Sequence, residues 1–284
     1  MREIKIETPL GTITALRNDG KGRRVLALHG WLDNAASFVP MAPYLREWDL
    51  VAIDLPGHGR SAHLPRGVEY SFAGALNCVL DVADALGWDS FTLLGHSMGA
   101  GISSLLAAAC PERIEALLAI EMLGSLVETA DHTAVRMREA VAAQRQLKDK
   151  RLRVFPDIET AIRARQQAER LPGNKLEEEM LRLLVERGVQ AVPGGFAWSS
   201  DPRLTLPTLT RMTIGQADNL LQHVDCPALI VFGDPAQPYL QDAERRRRVA
   251  LLPKGRLVVL PGGHHLHMQQ PQTVAAALLE FVRG

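Results

Sequence analysis

The pentapeptide Gly-His-Ser-Met-Gly at residues 95–99 places a serine at the centre of a G-x-S-x-G pattern. Aromatic, β-branched and aliphatic residues at 90–94 predict a short strand before it, and small residues at 100–109 predict a tightly packed helix after it. A serine at such a turn takes a strained backbone that exposes its hydroxyl, while the flanking glycines let strand and helix approach closely. Ser97 is therefore the predicted nucleophile of an acyl-transfer reaction.

A nucleophilic serine needs a general base, and a histidine-rich turn near the C-terminus offers one. The stretch Leu-Pro-Gly-Gly-His-His-Leu-His at 260–267 ends a predicted strand, and its glycine turn would bring a side chain over the sheet. His264 follows the glycines directly and is the predicted base. His267 is expected to pack or hydrogen-bond beneath the loop, and His265 to face elsewhere. A metal cluster is the alternative, but no further ligands converge here, so no metal site is predicted.

The charge that develops on a substrate carbonyl oxygen needs backbone N–H donors, which form an oxyanion hole. The predicted donors are the N–H of Met98, which follows the nucleophile, and that of Trp31, which follows His-Gly after an early strand. The Trp31 indole either lines the pocket or only packs. Asp33 and Asn34 either contact substrate at the same mouth or cap the next helix.

The elements that must position these residues alternate between strand and helix, which predicts a mainly parallel sheet with helices on both faces. The clearest signals are strands at 12–17, 25–28, 49–53, 90–94, 114–120, 228–232 and 256–260, and helices at 70–86 and 273–282. The first nine residues alternate charged with apolar side chains, which predicts a strand and no signal peptide.

The alternation breaks between residues 124 and 223, where charged helical segments replace the strand signals. This region has few large apolar residues with which to build a core of its own. We therefore interpret 124–223 as a helical lid inserted into one core, which residues 1–123 and 224–284 form together.

Two stretches characterise the predicted lid. Residues 174–187 place apolar side chains on one helical stripe, and Asn174 with Glu177 resembles a capping box. Residues 189–210 contain Pro-Gly-Gly and Ser-Ser-Asp-Pro, which predict a flexible loop.

Composition and charge argue against several classes of partner. Lys plus Arg equals Asp plus Glu at 32 each, so no global field favours nucleic acid or an acidic membrane surface. No apolar run is long enough to span a bilayer. The arginine run at 245–248 has acidic neighbours and predicts a solvated helix face. Cys78, Cys110 and Cys226 lack metal-ligand spacing and predict buried free thiols in a reducing cytosol, hence a cytoplasmic protein.

Four motifs together resemble the α/β-hydrolase superfamily: His-Gly-Trp-Leu-Asp-Asn at 29–34, Asp-Leu-Pro-Gly-His-Gly-Arg-Ser at 54–61, the serine pentapeptide at 95–99 and Pro-Gly-Gly-His at 261–264. Within this superfamily, the serine hydrolase-like (kraken-type) branch is the most similar. That similarity lies in the first motif and in segments 184–188 and 264–271. The resemblance covers nearly the whole chain. It implies the α/β-hydrolase fold, with an eight-stranded, mostly parallel sheet flanked by helices and a helical lid after the sixth strand, and it implies no cofactor.

The resemblance also implies an acidic residue that orients the base. In this fold the acid lies between the serine and the histidine in sequence. The commonest pattern, Gly-x-x-Asp after the penultimate core strand, has Ala236 at the aspartate position here, and Asp234 is shifted in register. Another placement known in the superfamily is the end of the strand after the nucleophile helix, where Glu121 lies. Glu121 is the predicted acid, with a carboxylate oxygen about 2.6–3.2 Å from His264. Asp234 is the alternative, and a dyad without an acid is a third possibility.

These residues predict a serine hydrolase, of carboxylesterase type, that cleaves a small acyl substrate through an acyl-enzyme on Ser97. Thioesterase, lipase-like, C–C bond hydrolase and peroxidase-like activities stay open, because the lid would set the choice of substrate. A serine at the turn argues against dehalogenase and epoxide hydrolase chemistry, which need a carboxylate there. The alternative from a different class is a non-catalytic ligand-binding or scaffold protein on the same fold. The oligomeric state is left open.

Overall fold

A computed structural model describes residues 1–147, 153–168 and 175–283. In chain order its strands are β1 (Arg2–Thr8), β2 (Gly11–Arg17), β3 (Arg24–Leu28), β4 (Asp49–Ile53), β5 (Phe91–His96), β6 (Ile114–Ile120), β7 (Val189–Val192), β8 (Gly195–Trp198), β9 (Ala228–Asp234) and β10 (Gly255–Pro261). Eight of them form one sheet in the order β1-β2-β4-β3-β5-β6-β9-β10. The β1–β2 and β2–β4 pairs are antiparallel, and the other neighbours pair in parallel. The predicted eight-stranded, mostly parallel sheet is confirmed.

Helices cover both faces of this sheet. They are α1 (Leu76–Ala85), α2 (Met98–Ala109), α3 (Thr133–Gln146), α4 (Ile158–Ala168), α5 (Glu178–Gly188), α6 (Ile214–Gln222), α7 (Asp242–Leu251), α8 (Leu266–Gln269) and α9 (Pro271–Arg283). One apolar cluster packs α1, α2, α6 and α7 on one face, and a second packs α8, α9 and the turns at 35–45 on the other. Strands such as β4 and β5 are buried along their whole length, which explains why their sequences are continuously apolar.

Most predicted elements match the structure. The strands predicted at 49–53 and 114–120 coincide with β4 and β6. The helix predicted at 70–86 is shorter, because residues 73–75 form a separate 3-10 turn around Gly74, a poor helix former, and α1 begins at Leu76.

Residues 124–223 connect β6 to β9 and contain α3, α4, α5 and α6. The stretch predicted as a flexible loop at 189–210 instead begins with the antiparallel hairpin β7–β8. Gly194 and Gly195 make its turn, with φ of 90° and 141°. The two glycines that predict a flexible loop therefore form a defined hairpin turn. The helix predicted at 174–187 is α5, and its proposed capping residue Asn174 lies outside the described residues.

Residues 124–223, called the insertion below, do not pack in isolation from the rest of the chain. The apolar cluster of the insertion includes Met268 from α8 of the core, alongside Phe155, Ala161, Ile162, Leu176, Leu181, Leu184 and Val185. From α5, the Arg187 guanidinium binds the buried Asp54 carboxylate, with Nη2 2.8 Å from Oδ2. Apolar contacts and a buried ion pair therefore attach the insertion to the core.

Among the described residues, no helix combines the length and the apolar character that a membrane crossing requires. Cys78 and Cys226 are buried free thiols, and Cys110 is half-buried. Burial raises the pKa of the Cys78 thiol to about 12 and that of Cys226 to about 11. Both thiols are therefore protonated at neutral pH and serve as small packing groups.

Candidate active site

Ser97 occupies a strained turn between β5 and α2, with φ 50° and ψ −117°. The flanking glycines are required by close backbone contacts. A Cβ added at Gly99 would lie 2.0 Å from the Leu28 carbonyl oxygen, and one at Gly95 would lie 2.4 Å from Cα of Ala100. The strand and the helix can approach this closely only without those side chains, which leaves the half-buried serine at the carboxyl end of the sheet.

Backbone strain is concentrated around this turn. Within the described part of the chain, the non-glycine residues with positive φ are Leu32 at 58°, Ser97 at 50° and Glu121 at 62°. Leu32 lies in the loop after β3, Ser97 directly follows β5 and Glu121 directly follows β6. All three therefore lie beyond the carboxyl ends of adjacent parallel strands. Such strain costs about 1–3 kcal/mol per residue and occurs preferentially at functional sites.

The His264 ring lies at the same edge of the sheet. Its Nδ1 is 2.8 Å from the Tyr239 hydroxyl and 3.4 Å from Oε2 of Glu121. The Glu121 distance is slightly longer than the 2.6–3.2 Å expected, and a tyrosine that nothing in the sequence pointed to lies closer. Two oxygens thus converge on one imidazole nitrogen, Nδ1.

Glu121 is completely buried, and two groups besides His264 hold its carboxylate. The Gly233 N–H donates to Oε1, and Arg245 Nη2 lies 3.6 Å from Oε2. The Arg245 guanidinium in turn stacks 4.4 Å above the Phe232 ring and donates to the Gly233 carbonyl at 2.7 Å. Partial desolvation, together with the negative charge of Glu121, raises the pKa of the Tyr239 hydroxyl, which is therefore neutral at ordinary pH.

The arginine run at 245–248 is only in part the solvated helix face that the sequence predicted. Arg246 is exposed and pairs with Asp242, whereas two of the four arginines point inward. Arg245 is 2% exposed and Arg248 5% exposed. Arg248 donates to the carbonyl oxygens of Leu123 and Ser125 at 2.8 and 3.0 Å, at the start of the insertion. Helical spacing turns these two side chains inward, where buried carbonyls and Glu121 replace water as their partners.

Asp234, the alternative acid, lies at the end of β9 with an exposed side chain. Its backbone carbonyl accepts a hydrogen bond from Gly262 at 3.1 Å, beside the loop that carries His264. The structure therefore brings Glu121, rather than Asp234, to the imidazole.

The two predicted oxyanion donors belong to different elements, Met98 to α2 and Trp31 to the loop after β3. Met98 is the first residue of α2, where helix N–H groups are unsatisfied by the helix itself. The Trp31 indole is 52% exposed, and its Nε1 donates to the Leu204 carbonyl of the insertion at 2.8 Å. The side chain of Trp31 thus contacts the insertion from the edge of the site.

Asn34 and Asp33 have different roles. The Asn34 Oδ1 accepts from the Ala36 N–H at 3.1 Å, which is the capping contact considered from the sequence. Asp33 is buried, and its Oδ1 and Oδ2 accept hydrogen bonds from Arg165 at 2.6 Å and from Nε2 of His265 at 3.0 Å. His265 therefore faces the Asp33 loop. Burial alone would raise the pKa of Asp33, but the charges of His265 and Arg165 outweigh it and hold that pKa well below its usual range.

Two further histidines are buried beneath the site. His96 Nε2 donates to the His264 carbonyl at 2.8 Å, and its ring centroid is 4.1 Å from that of His267. Burial, with the charges of neighbouring imidazoles, holds the pKa of both rings well below the usual value. Neither nitrogen of His267 has a hydrogen-bond partner in the described ranges, so this ring packs beneath the loop.

Asp33, His96 and His265 bring potential metal-ligand atoms within 4.8 Å of one another, as one group among the described residues. The His96 Nδ1 is 4.0 Å from Oδ2 of Asp33, whereas tetrahedral zinc, with bonds of about 2.0–2.1 Å, would hold two ligands closer. Arg165 already neutralises the carboxylate. The cluster fits a hydrogen-bonded network better than a metal centre.

Comparison with known proteins places this arrangement in a family. Residues 23–271 match the family described as the alpha/beta hydrolase fold. A serine hydrolase-like protein of Danio rerio is 29% identical over 288 residues, covering 99% of this chain and 88% of that protein. A crystal structure of a hypothetical protein from Pseudomonas aeruginosa PAO1 is 39% identical with a TM-score of 0.90, covering 99% and 98% of the two chains. The thioesterase domain from the curacin biosynthetic pathway is 27% identical with a TM-score of 0.83, covering 98% and 99%.

The family match spans most of the chain, so this protein belongs to the α/β-hydrolase fold family. The resemblance of its motifs to serine hydrolase-like proteins is confirmed by the curated relative. Together the family and these relatives identify the chain as a hydrolase.

Proposed function

We propose that this hydrolase cleaves a carboxylic ester or thioester through a covalent acyl-enzyme on Ser97. One observation carries the proposal. The buried Glu121 carboxylate at the end of β6 faces His264 at 3.4 Å, beside the parallel strand that ends in the strained Ser97. A buried carboxylate that orients an imidazole, with a serine at the same edge of the sheet, is the arrangement that activates a serine hydroxyl.

In the proposed reaction, Oγ of Ser97 attacks the carbonyl carbon while Nε2 of His264 takes the hydroxyl proton. The N–H groups of Met98 and Trp31 stabilise the negative oxygen of the tetrahedral intermediate. His264 then gives its proton to the departing alkoxide or thiolate, which leaves as an alcohol or thiol. Water attacks the acyl-enzyme with His264 again as base, releasing a carboxylic acid and restoring the serine. No cofactor is required for these steps.

Glu121 stabilises the imidazolium that forms in both steps, because it supplies a full negative charge at the Nδ1 side. The Tyr239 hydroxyl, at 2.8 Å from the same nitrogen, restrains the plane of the ring. Residues 124–223 act in this proposal as a lid on the core of residues 1–123 and 224–284. The contact of the Trp31 indole with Leu204 supports a lid that shapes the acyl pocket.

Replacement of the nucleophile tests the proposal. Wild-type protein should react with a fluorophosphonate probe and hydrolyse members of a panel of p-nitrophenyl esters and acyl-CoA thioesters. Ser97→Ala should lose the labelling and at least about 10³-fold in rate, because triad removal costs several orders of magnitude.

Ser103→Ala is the matched control, since Ser103 is a buried serine of α2 whose hydroxyl has no hydrogen-bond partner in the described structure. It should keep both the labelling and the activity. Retained activity in Ser97→Ala would contradict the mechanism. A folded wild type without labelling or turnover on any substrate would favour the ligand-binding or scaffold alternative.

A further inference from the structure

The Asp33 carboxylate joins three segments that are distant in sequence. Asp33 belongs to the loop after β3, two residues beyond Trp31. Its Oδ1 accepts from Arg165 on helix α4 of the insertion at 2.6 Å, and its Oδ2 accepts from His265 at 3.0 Å. His265 is bonded covalently to His264. The loop of one proposed oxyanion donor, the loop of the proposed base and the insertion therefore meet at one buried side chain.

The same contacts hold the strained part of the loop. Arg165 Nη1 donates to the carbonyl oxygen of Leu32 at 3.3 Å, and Leu32 has a φ of 58°. A Cβ on Gly30 would lie 3.2 Å from Oδ2 of Asp33, so glycine allows the loop to close on the carboxylate. Trp31 lies between Gly30 and Leu32 in the chain, so the backbone on both sides of its peptide N–H is held by these contacts. Its direction therefore depends on Arg165 and Asp33.

We propose that Asp33 and Arg165 are positioning residues, through which docking of α4 aligns the Trp31 N–H with His264 for acylation. Neither residue is assigned a contact with the reacting atoms. The inference rests on the proposed serine hydrolase function and adds to it that the insertion sets the catalytic geometry as well as covering the pocket. A displacement of about 1 Å in such a donor can cost 10²-fold in rate.

A test that separates positioning from stability uses Arg165→Met, Asp33→Asn and the double variant. The matched control is Arg163→Met, on the same helix, because Arg163 is exposed and, among the described residues, its side chain donates to Thr160 within α4. Active sites are counted with the fluorophosphonate probe, and kcat and KM are measured on the best p-nitrophenyl ester. Urea unfolding gives the stability of each variant.

Arg165→Met and Asp33→Asn should each lower kcat about 10- to 100-fold while KM changes by less than about threefold, since the lost interaction acts in the transition state. Arg163→Met should match the wild type. The double variant removes both buried charges, so its stability should recover relative to Asp33→Asn while its kcat stays low. The kcat of the double variant should also be no lower than that of the less active single variant. The reason is that both substitutions break the same contact, between Asp33 and Arg165.

Two results would overturn the positioning role: wild-type kcat in folded Arg165→Met, or recovery of kcat together with stability in the double variant. A wild type that neither labels nor turns over would instead overturn the proposed function. The two failures are therefore distinguishable.

Discussion

At the scale of single residues, the site combines strained backbone with buried charge. Ser97 and Glu121 both have positive φ, and both begin the turn after a parallel strand. The hydrogen bond from the Ser97 N–H to the Ile120 carbonyl, at 2.8 Å, ties the two turns together. This bond links the turn of the proposed nucleophile to the turn of the proposed acid through the backbone.

The assignment of the acid leads to a prediction at this scale. Glu121→Gln should reduce kcat by about 10³–10⁴-fold, because an amide cannot stabilise the imidazolium as a carboxylate does. Asp234→Asn, the matched control, should stay within about twofold of wild type, since the Asp234 side chain is exposed. Steady-state kinetics on one ester measures both. The reverse pattern would transfer the role to Asp234.

Tyr239→Phe gives a second prediction. Tyr239 is neutral, so it restrains His264 without offsetting the imidazolium charge. Loss of its hydroxyl should lower kcat by less than about tenfold, comparable to one neutral hydrogen bond of about 0.5–1.5 kcal/mol. A loss as large as that of Glu121→Gln would show that the tyrosine, rather than the carboxylate, is the principal partner of Nδ1.

At the scale of elements, the buried Arg187 and the half-buried Arg203 attach the insertion to the rest of the protein. Arg187 at the end of α5 donates to Asp54 at 2.9 Å and to Glu3 at 2.7 Å, so it reaches both the loop after β4 and the first strand. Arg203 binds Asp201, which also accepts from the Tyr70 hydroxyl at 2.9 Å. These contacts fix α5 and the segment after β8 on the core.

Arg187→Met should lower the free energy of unfolding by about 3 kcal/mol, because it leaves the buried Asp54 without its charged partner. Hydrogen exchange should accelerate in α5 before it does in β5. Arg182→Met is the control on the same helix. Its ion pairs are with exposed glutamates, so its cost should stay below about 1 kcal/mol. Equal costs for the two variants would contradict the anchoring role of Arg187.

At the scale of the whole molecule, buried histidines make the stability of the folded state depend on pH. Burial is the main reason that the pKa of His29 is lowered to about 4 and that of His58 to about 3. The two rings meet edge to face at 4.9 Å, beneath the loops after β3 and β4. Both are neutral in the folded protein, whereas the unfolded chain protonates its histidines below about pH 6.5.

Acid should therefore destabilise the protein well before its carboxylates titrate. Between about pH 6.5 and pH 4 the unfolded state binds more protons, so stability should fall as pH falls, by up to about 1.4 kcal/mol per pH unit for each such histidine. Urea unfolding at several pH values measures the slope. His58→Gln should make that slope shallower, and an unchanged slope would contradict the assignment of His58.

Sequence reasoning succeeded where the chain determines structure locally. The G-x-S-x-G turn, the Pro-Gly-Gly-His turn and the apolar runs of β4 and β6 depend on neighbouring residues alone, so they were predictable. The hairpin β7–β8 was missed because its strands are only four residues each, and turn glycines resemble loop glycines in sequence.

By itself, the sequence determined the fold, the strands of the main sheet and the candidates Ser97, His264 and Glu121. Only the tertiary structure placed Tyr239 at the imidazole, turned Arg245 inward to Glu121 and joined Arg165 to Asp33. The physical reason is that these partners are separated by tens to more than a hundred residues, and no local pattern records them. Burial determines what a charged side chain does, and burial is a property of the packed molecule rather than of any segment.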